Sequence, residues 1–446
     1  MVAREFDYQV RKLAIIGCMI LAYTASYASM STLSVAAPML IVEYDYDNSD
    51  IGLMLTIATA LRVVPKFTTG LLVDLIGGKG SLIISTFLIS ICTIAIPFYP
   101  TLWWIGVMWT LIRVIQSLVW PGIVKIVARW CPTKEMGKAF SILDFGYWFS
   151  LAFLQIIVMV TTNWKMLFYA SGAFGIIVCV LMVVILKETP LEIHYPEPPG
   201  EVTIDSTSWK EKFKAIYLNP KFWCLAAYYG GTTIIRQAIW DWILLFLTQT
   251  TGCSVQYSVM VFSSFAFVGT LSTLMFGIIS DKTSHLRRDI ICAIFGMLLI
   301  VCLLLITLFI PAGGFSPDWF HILIYSLLLI SSGFFLSGPW SLPAAVMALS
   351  FGGKQLCGTV SGNLDGLATL ASLLTGLIGI ISELPNGWRI VFGLLGITAI
   401  FSILFFIGFI FLDNWEEKKY QPTNSIVLCE ITAQDTQQHE QQKAEI

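Results

Sequence analysis

Charge is scarce in this sequence. Asp, Glu, Lys and Arg together make up 12% of its residues, about half the ~25% carried by an ordinary soluble domain. Histidine is nearly missing: His194, His285, His321 and His439 are scattered, each outside an apolar run or at its end. That spacing excludes a histidine-based metal or catalytic centre. The ten cysteines mostly fall inside apolar runs without paired spacing, so neither a disulfide framework nor a zinc site is indicated. There is no Asn-x-Ser/Thr site, and no block of basic residues that would suggest nucleic acid. No nucleophile–base or metal-spaced constellation appears, so no enzyme, metal or cofactor is expected.

What remains is apolar. The 446 residues are 57% hydrophobic, with mean hydropathy +0.79. A membrane span needs roughly 20 apolar residues to cross ~30 Å of hydrocarbon. Twelve runs qualify, at about 13–40, 51–76, 81–99, 102–130, 137–161, 165–187, 220–249, 256–280, 289–311, 318–350, 356–384 and 388–412. The first is too long for a signal peptide and lacks a small-residue cleavage site, so it reads as a retained span. The polar, proline-bearing stretch between the sixth and seventh runs divides the chain. The expected organisation is an N-terminal six-helix bundle (1–187), a linker loop (188–219), a C-terminal six-helix bundle (220–412) and a disordered tail (413–446).

Basic residues such as Arg11, Lys12, Lys79, Lys134, Lys210, Lys282, Arg288, Lys354 and Lys418 fall on one side. The opposite loops hold Glu43, Asp45, Asp47 and Asp50, with only Lys165 and Arg389 as cations. The positive-inside rule places both termini in the cytoplasm, with plasma and organelle membranes both compatible. Three sequence matches recur six spans apart. GLLVD (Gly70–Asp74) matches GIISD (Gly277–Asp281), and NWKMLF (Asn163–Phe168) matches GWRIVF (Gly387–Phe392). GKAFSILD (Gly137–Asp144) matches GTVSGNLD (Gly358–Asp365). Duplicated halves of this kind are a transporter architecture.

Ionisable residues at membrane depth cost about 2.5–3.5 kcal/mol on insertion scales, so each calls for a functional explanation. Counting along the spans at about 1.5 Å per residue, Arg62, Arg113 and Arg236 all fall near the midplane. Three arginines at one level suggest a shared anion pocket, since the guanidinium fork suits phosphate and carboxylate. The competing explanation is that each pairs with a neighbouring acid to fix helix packing. Lys66 lies one turn beyond Arg62, at roughly the depth of Asp144 and Asp365. If the halves pack as the repeat implies, a Lys66–Asp365 pair closes one side of the pocket; the alternative is a lysine snorkelling to the interface. Asp241 comes five residues after Arg236, too far round the helix for an i,i+4 pair, and is expected to shape the outer part of the pocket. Tyr147, Tyr228, Tyr229, Trp120, Trp240 and Trp340 also sit in spans near these charges.

The segment DLIGGKG after Gly70, together with RVIQSLVWP (Arg113–Pro121), resembles the signature elements of the major facilitator superfamily. Leu75 stands where that loop usually carries a basic residue, and Ser117 where a glycine is usual. Within the superfamily, PKFTTG around Lys66, KETP (Lys187–Pro190), RQAIWDW (Arg236–Trp242) and GTLSTLMFGIISDK (Gly269–Lys282) are similar to the organophosphate:phosphate antiporters, which include glycerol-3-phosphate and hexose-phosphate transporters. The resemblance implies an all-α fold of twelve transmembrane helices in two pseudo-symmetric bundles. It also implies that Arg236 grips phosphate, with Lys66 at the family's lysine position and Gly70, Asp74, Gly277 and Asp281 forming the conformational loop motif. Met30 stands where the family has a first-span arginine, and Tyr147 where it has a histidine. Either Arg62 or Arg113 then supplies the second cation, or the substrate is a different organic anion.

These observations lead to an expected monomeric secondary transporter of a small organic anion, a phosphate ester or carboxylate, working by alternating access in a lipid bilayer. Arg236, Arg62, Arg113, Tyr147 and Lys66 are the expected substrate contacts; Lys66, Asp365, Asp144 and Asp241 the expected gating or coupling groups. Inorganic phosphate is one candidate coupling ion. Protons are the other, because a desolvated carboxylate such as Asp144 or Asp365 can carry one. The alternatives are a proton-coupled symporter of another small metabolite (organic acid, amino acid or peptide) and a non-transporting ligand sensor on the same fold.

Overall fold

The computed structural model describes residues 2–131, 139–140, 142–161, 163–195, 214, 217–311, 315 and 317–444. Its elements are helical, and among the described residues there is no strand. The N-terminal helices are α1 (Val2–Tyr44), α2 (Asn48–Ile76), α3 (Gly78–Ala95), α4 (Leu102–Gln116), α5 (Val119–Trp130), α6 (Phe145–Val160) and α7 (Trp164–Ile185). The C-terminal helices are α8 (Pro220–Thr251), α9 (Val255–Lys282), α10 (His285–Phe309), α11 (Trp319–Ser341), α12 (Ala348–Ala371), α13 (Leu377–Ser382) and α14 (Gly387–Ala444). Ten segments are long and apolar enough to cross a membrane, and α6 is a shorter apolar helix. Helix α8 has the length, but Arg236, Gln237 and Asp241 interrupt its apolar run. With these two, each of the twelve expected spans has a helix.

Several of the expected boundaries shift. The fourth span breaks at Ser117–Leu118 into α4 and α5, and the eleventh passes through a 3-10 turn at Ser372–Gly376 before α13. Helix α14 runs on to Ala444, so the backbone beyond 413, expected to be disordered, is helical. Gln, Glu, Lys and Ala recur there, and all are good helix formers. The linker from 196 to 213, Lys134 and Gly137 lie outside the described residues. So do the side chains of Gly70, Asp74 and Asp281, although their backbones are helical near the ends of α2 and α9.

Local chemistry fixes the helix ends. The Asn219 side chain accepts a hydrogen bond from the Lys221 N–H, with Pro220 in the first turn, and Ser254 accepts from the Tyr257 N–H. Gly77, at φ +87°, makes the tight turn between α2 and α3, which a side chain would strain. Glu188, from the KETP segment, accepts from the Gly78 N–H at 3.1 Å and pins that turn.

The same packing scheme occurs twice. Helix α1 packs on α7 and α6, α3 on α7 and α4, and α2 on α4. In the C-terminal set, α8 packs on α14 and α12, α10 on α14 and α11, and α9 on α11. The two sets meet through α1 with α8, α6 with α9, and α2 with α12, α13 and the 372–376 turn. Helix α8 is therefore enclosed by protein over most of its length, with 22 of its 32 residues buried. Its charged side chains face other helices rather than lipid, which is where the cost of an intramembrane charge can be met.

Candidate functional site

The centre lies where α1, α2, α4 and α6 face α8 and α11. Arg236 is midway along α8, and aromatic rings from both helix sets lie against its guanidinium. Its Cζ is 4.1 Å from the Trp340 ring centroid, 4.8 Å from Tyr147 and 6.0 Å from Trp240. The cluster extends outward ring by ring: Tyr147 stacks on Trp240 at 4.2 Å, Tyr27 meets Tyr147 edge-on at 5.2 Å, and Tyr23 meets Tyr27 at 4.6 Å. Trp120 packs on Tyr23, and Tyr229 on Trp340. Tyr228 turns away from this centre and stacks on Phe406.

The three arginines differ in what they touch. Arg62 donates to the Gln116 side-chain carbonyl at 2.9 Å. Arg113 donates to Asp241 at 3.0 Å, with both side chains 1% exposed, and Gln237 donates to the other oxygen of Asp241 at 2.7 Å. Arg236 makes no hydrogen bond or ion pair to any described residue. Of the two expected roles for the arginines, an anion pocket or pairing with a neighbouring acid, Arg113 shows the second. Arg113 and Asp241 neutralise one another because both are dry, and Asp241 acts as the acid partner of Arg113 rather than as a pocket wall. Met30 is buried and apolar, so no cation stands at its place. Several buried donors nonetheless lack a partner among the described residues: Nε of Arg62, Nε and Nη1 of Arg113, the Tyr147 hydroxyl and Nε1 of Trp240.

Lys66 lies one turn along α2 from Arg62, and its Nζ is 2.6 Å from Oδ2 of Asp365 on α12. This pair joins the two helix sets between the centre and the face carrying the termini. Asp144 sits in the turn that opens α6, where its carbonyl accepts from the Tyr147 N–H. Gly277 lies in the last turns of α9.

At the opposite face, a further junction carries no motif in the sequence. Asn48 and Gln249 exchange two amide hydrogen bonds, each 3.0 Å, and Asn48 also donates to Ser382 at 2.9 Å. Ser49 gives its N–H and hydroxyl to Glu383, both at 2.7 Å, and Trp388 donates to Gln249 at 3.1 Å. Beneath them the backbones of α2 and the 372–382 segment nearly touch. A Cβ on Gly52 would collide with the Gly376 carbonyl, and one on Gly379 with the Asn48 carbonyl. Helical Gly and Asn in a membrane span were the signal available for this contact, and they are too common to single out. Two small apolar clefts lie within the C-terminal helices, one around Trp242 and Phe246 and one around Tyr228 and Phe335; no charged side chain lines either.

A polytopic helical bundle with a cationic, aromatic-lined centre between two similarly packed sets is the architecture of a membrane transporter. The chain belongs to the Major Facilitator Superfamily, whose model matches residues 19–374, and is an integral, multi-pass membrane protein. It is 23% identical over 425 residues to a probable hexose phosphate transport protein of Chlamydia trachomatis, covering 90% of this chain and 91% of that one. It is 24% identical to the membrane sensor protein UhpC of Salmonella typhimurium (87% and 89% covered) and 25% identical to the glycerol-3-phosphate transporter of Bacillus subtilis (76% and 79%). Among solved structures, it shares the fold of a bacterial homologue of the human lysosomal transporter Spinster, inward-facing and unoccupied, at TM-score 0.65 and 16% identity, with 90% and 96% covered. A point mutant of the nucleoside transporter NupG superposes at TM-score 0.68 and 14% identity, with 90% and 99% covered.

Proposed function

We propose that this protein is a secondary active transporter of a small organic anion, which binds at Arg236 while the two helix sets rock about it. One observation carries the reading. Arg236 is held midway along α8 by rings from both sets, yet no described carboxylate pairs with it. A guanidinium so placed favours an anion, and planar bidentate pairing lets it grip a carboxylate or phosphoryl group. Similarity to hexose phosphate and glycerol-3-phosphate transporters supports an anionic substrate.

In this reading both termini are cytoplasmic, as the basic loops suggest. The Asn48–Gln249 junction then closes the far side, and the Lys66–Asp365 pair parts when the site opens to the cytoplasm. Proteoliposomes containing wild type or Arg236→Ala test the proposal. Uptake of an organic anion is expected to require Arg236 and to be driven either by trans phosphate or by a proton gradient. If neither gradient drives uptake of any organic anion, the reading fails. Arg236-dependent binding without flux would favour a sensor, a reading supported by the similarity to UhpC.

A further inference from the structure

We infer that the site selects a monoanion with a flat apolar body, specifically an aromatic monocarboxylate, rather than a phosphate ester of a polyol. This rests on the proposal that Arg236 binds an organic anion, and it adds the class of that anion. The first argument is charge. Four cations, Arg62, Lys66, Arg113 and Arg236, and three carboxylates, Asp144, Asp241 and Asp365, lie at the centre or within about a helical turn of it. Asp241 is bonded to Arg113 and Asp365 to Lys66. The set as a whole carries one uncompensated positive charge. A monoanion balances it. A phosphate dianion would leave the set with a net negative charge, which becomes costly as the site closes and water is expelled.

The second argument concerns the walls. A sugar or glycerol body brings hydroxyls that need hydrogen-bond partners once water is expelled. The amide and hydroxyl side chains at the centre each hold a neighbour: Gln116 accepts from Arg62, Gln237 donates to Asp241, and Thr233 accepts from the indole N–H of Trp340 at 3.0 Å. Most of the remaining wall is ring surface, from Tyr23, Tyr27, Tyr147, Trp240 and Trp340. Such surface accommodates another ring by offset or edge contacts.

The third argument is the pattern of unused donors. Beside the Arg236 guanidinium, the buried Tyr147 hydroxyl and Trp240 indole N–H have no partner among the described residues. Trp240 is 2% exposed, so water does not serve it freely. The planar guanidinium edge and these two donors suit the few acceptor positions of one carboxylate.

Four probes at millimolar concentration separate charge from body: benzoate, acetate, phenyl phosphate and glucose 6-phosphate. Each is tested by thermal shift and by competition against benzoate, with purified wild type, Arg236→Lys, Arg236→Ala and Asp144→Asn. Benzoate is expected to stabilise wild type most. Arg236→Lys is expected to fold but to bind benzoate about tenfold more weakly, since the fork is lost while the charge stays. Asp144→Asn adds one positive charge and is expected to shift preference towards phenyl phosphate by about tenfold. Equal binding of acetate and benzoate would overturn the flat-body assignment. Stronger Arg236-dependent binding of phenyl phosphate or glucose 6-phosphate by wild type would overturn the monoanion assignment and leave the proposed transport of organic anions standing. If no probe or other organic anion binds in an Arg236-dependent way, both fail.

Discussion

Among the described residues, two ion pairs join the N-terminal helices to the C-terminal ones, and their surroundings are opposite. Arg113–Asp241 is dry, with both side chains 1% exposed. Lys66–Asp365 is shorter, at 2.6 Å, but its side chains are 16% and 38% exposed. A pair in low dielectric is hard to separate, because each parted ion would keep its desolvation penalty. A partly hydrated pair separates easily, because water replaces each partner. In the proposed mechanism the dry pair would therefore serve as a pivot that persists while the halves move, and the wet pair as a contact that can open. Distance alone would have ranked them the other way.

The largest effect is expected from breaking the dry pair. Arg113→Leu leaves Asp241 buried with only Gln237 as partner, and Asp241→Leu strands Arg113. Each should cost about 3–5 kcal/mol, read as a large fall in the melting temperature of the detergent-solubilised protein. The double variant Arg113→Met with Asp241→Leu should recover most of that stability, since an apolar replacement strands no charge. Recovery of stability without recovery of transport would mark the pair as a functional pivot. Failure of the double variant to recover stability would show that the pair is not simply an isolated buried bridge.

How much of this was legible in the sequence depended on the type of residue. Charges stand out in an apolar chain, so Arg236, Arg113, Arg62, Lys66 and Asp365 could be singled out, and matched depth was enough to set Lys66 beside Asp365. The same argument did not give Arg113 its partner. Depth places residues on a level, but it does not say which way a side chain turns about its helix, and Arg113 turns to Asp241 on α8. Tyr23 and Tyr27 passed unnoticed because aromatics are common in membrane spans and only their convergence on Tyr147 makes them informative. The Asn48–Gln249 exchange joins residues 201 positions apart and has no local pattern at all. The order of helices followed from hydropathy; their breaks, at Ser117–Leu118 and Ser372–Gly376, did not, since both stretches remain compatible with helix locally.

The Gly52–Gly376 contact sharpens the comparison at a third point, where no charge is involved. There the halves meet through backbone, so a side chain cannot be accommodated without moving α2 away from the 372–382 segment. Gly52→Val should oppose closure of that face by about 1–3 kcal/mol, the usual cost of overpacking. That corresponds to roughly 5- to 150-fold in a two-state equilibrium. Labelling of a cysteine placed at Thr56, on the centre side of the contact, should rise from the Asn48 face. Unchanged labelling together with unchanged transport would show that the close approach does not control access.

The wet pair should give the smallest effect on stability and the most informative one on function. Lys66→Ala or Asp365→Ala is expected to lower the melting temperature much less than breaking the dry pair, because water reaches the parted groups; an ion pair open to solvent contributes about 0–1 kcal/mol. Transport should nonetheless fall in both, as the contact between α2 and α12 loses its bias towards closure on the terminus side. The charge exchange Lys66→Asp with Asp365→Lys restores attraction at the same place and should restore transport lost in Lys66→Asp alone. If the exchanged protein is stable but no more active than the single variant, the pair acts through the identity of Lys66 or Asp365, in contact with substrate or proton, and not through attraction between the two helix sets. A pair that mattered only as a structural staple would instead show its effect in the melting temperature, as Arg113–Asp241 is expected to do.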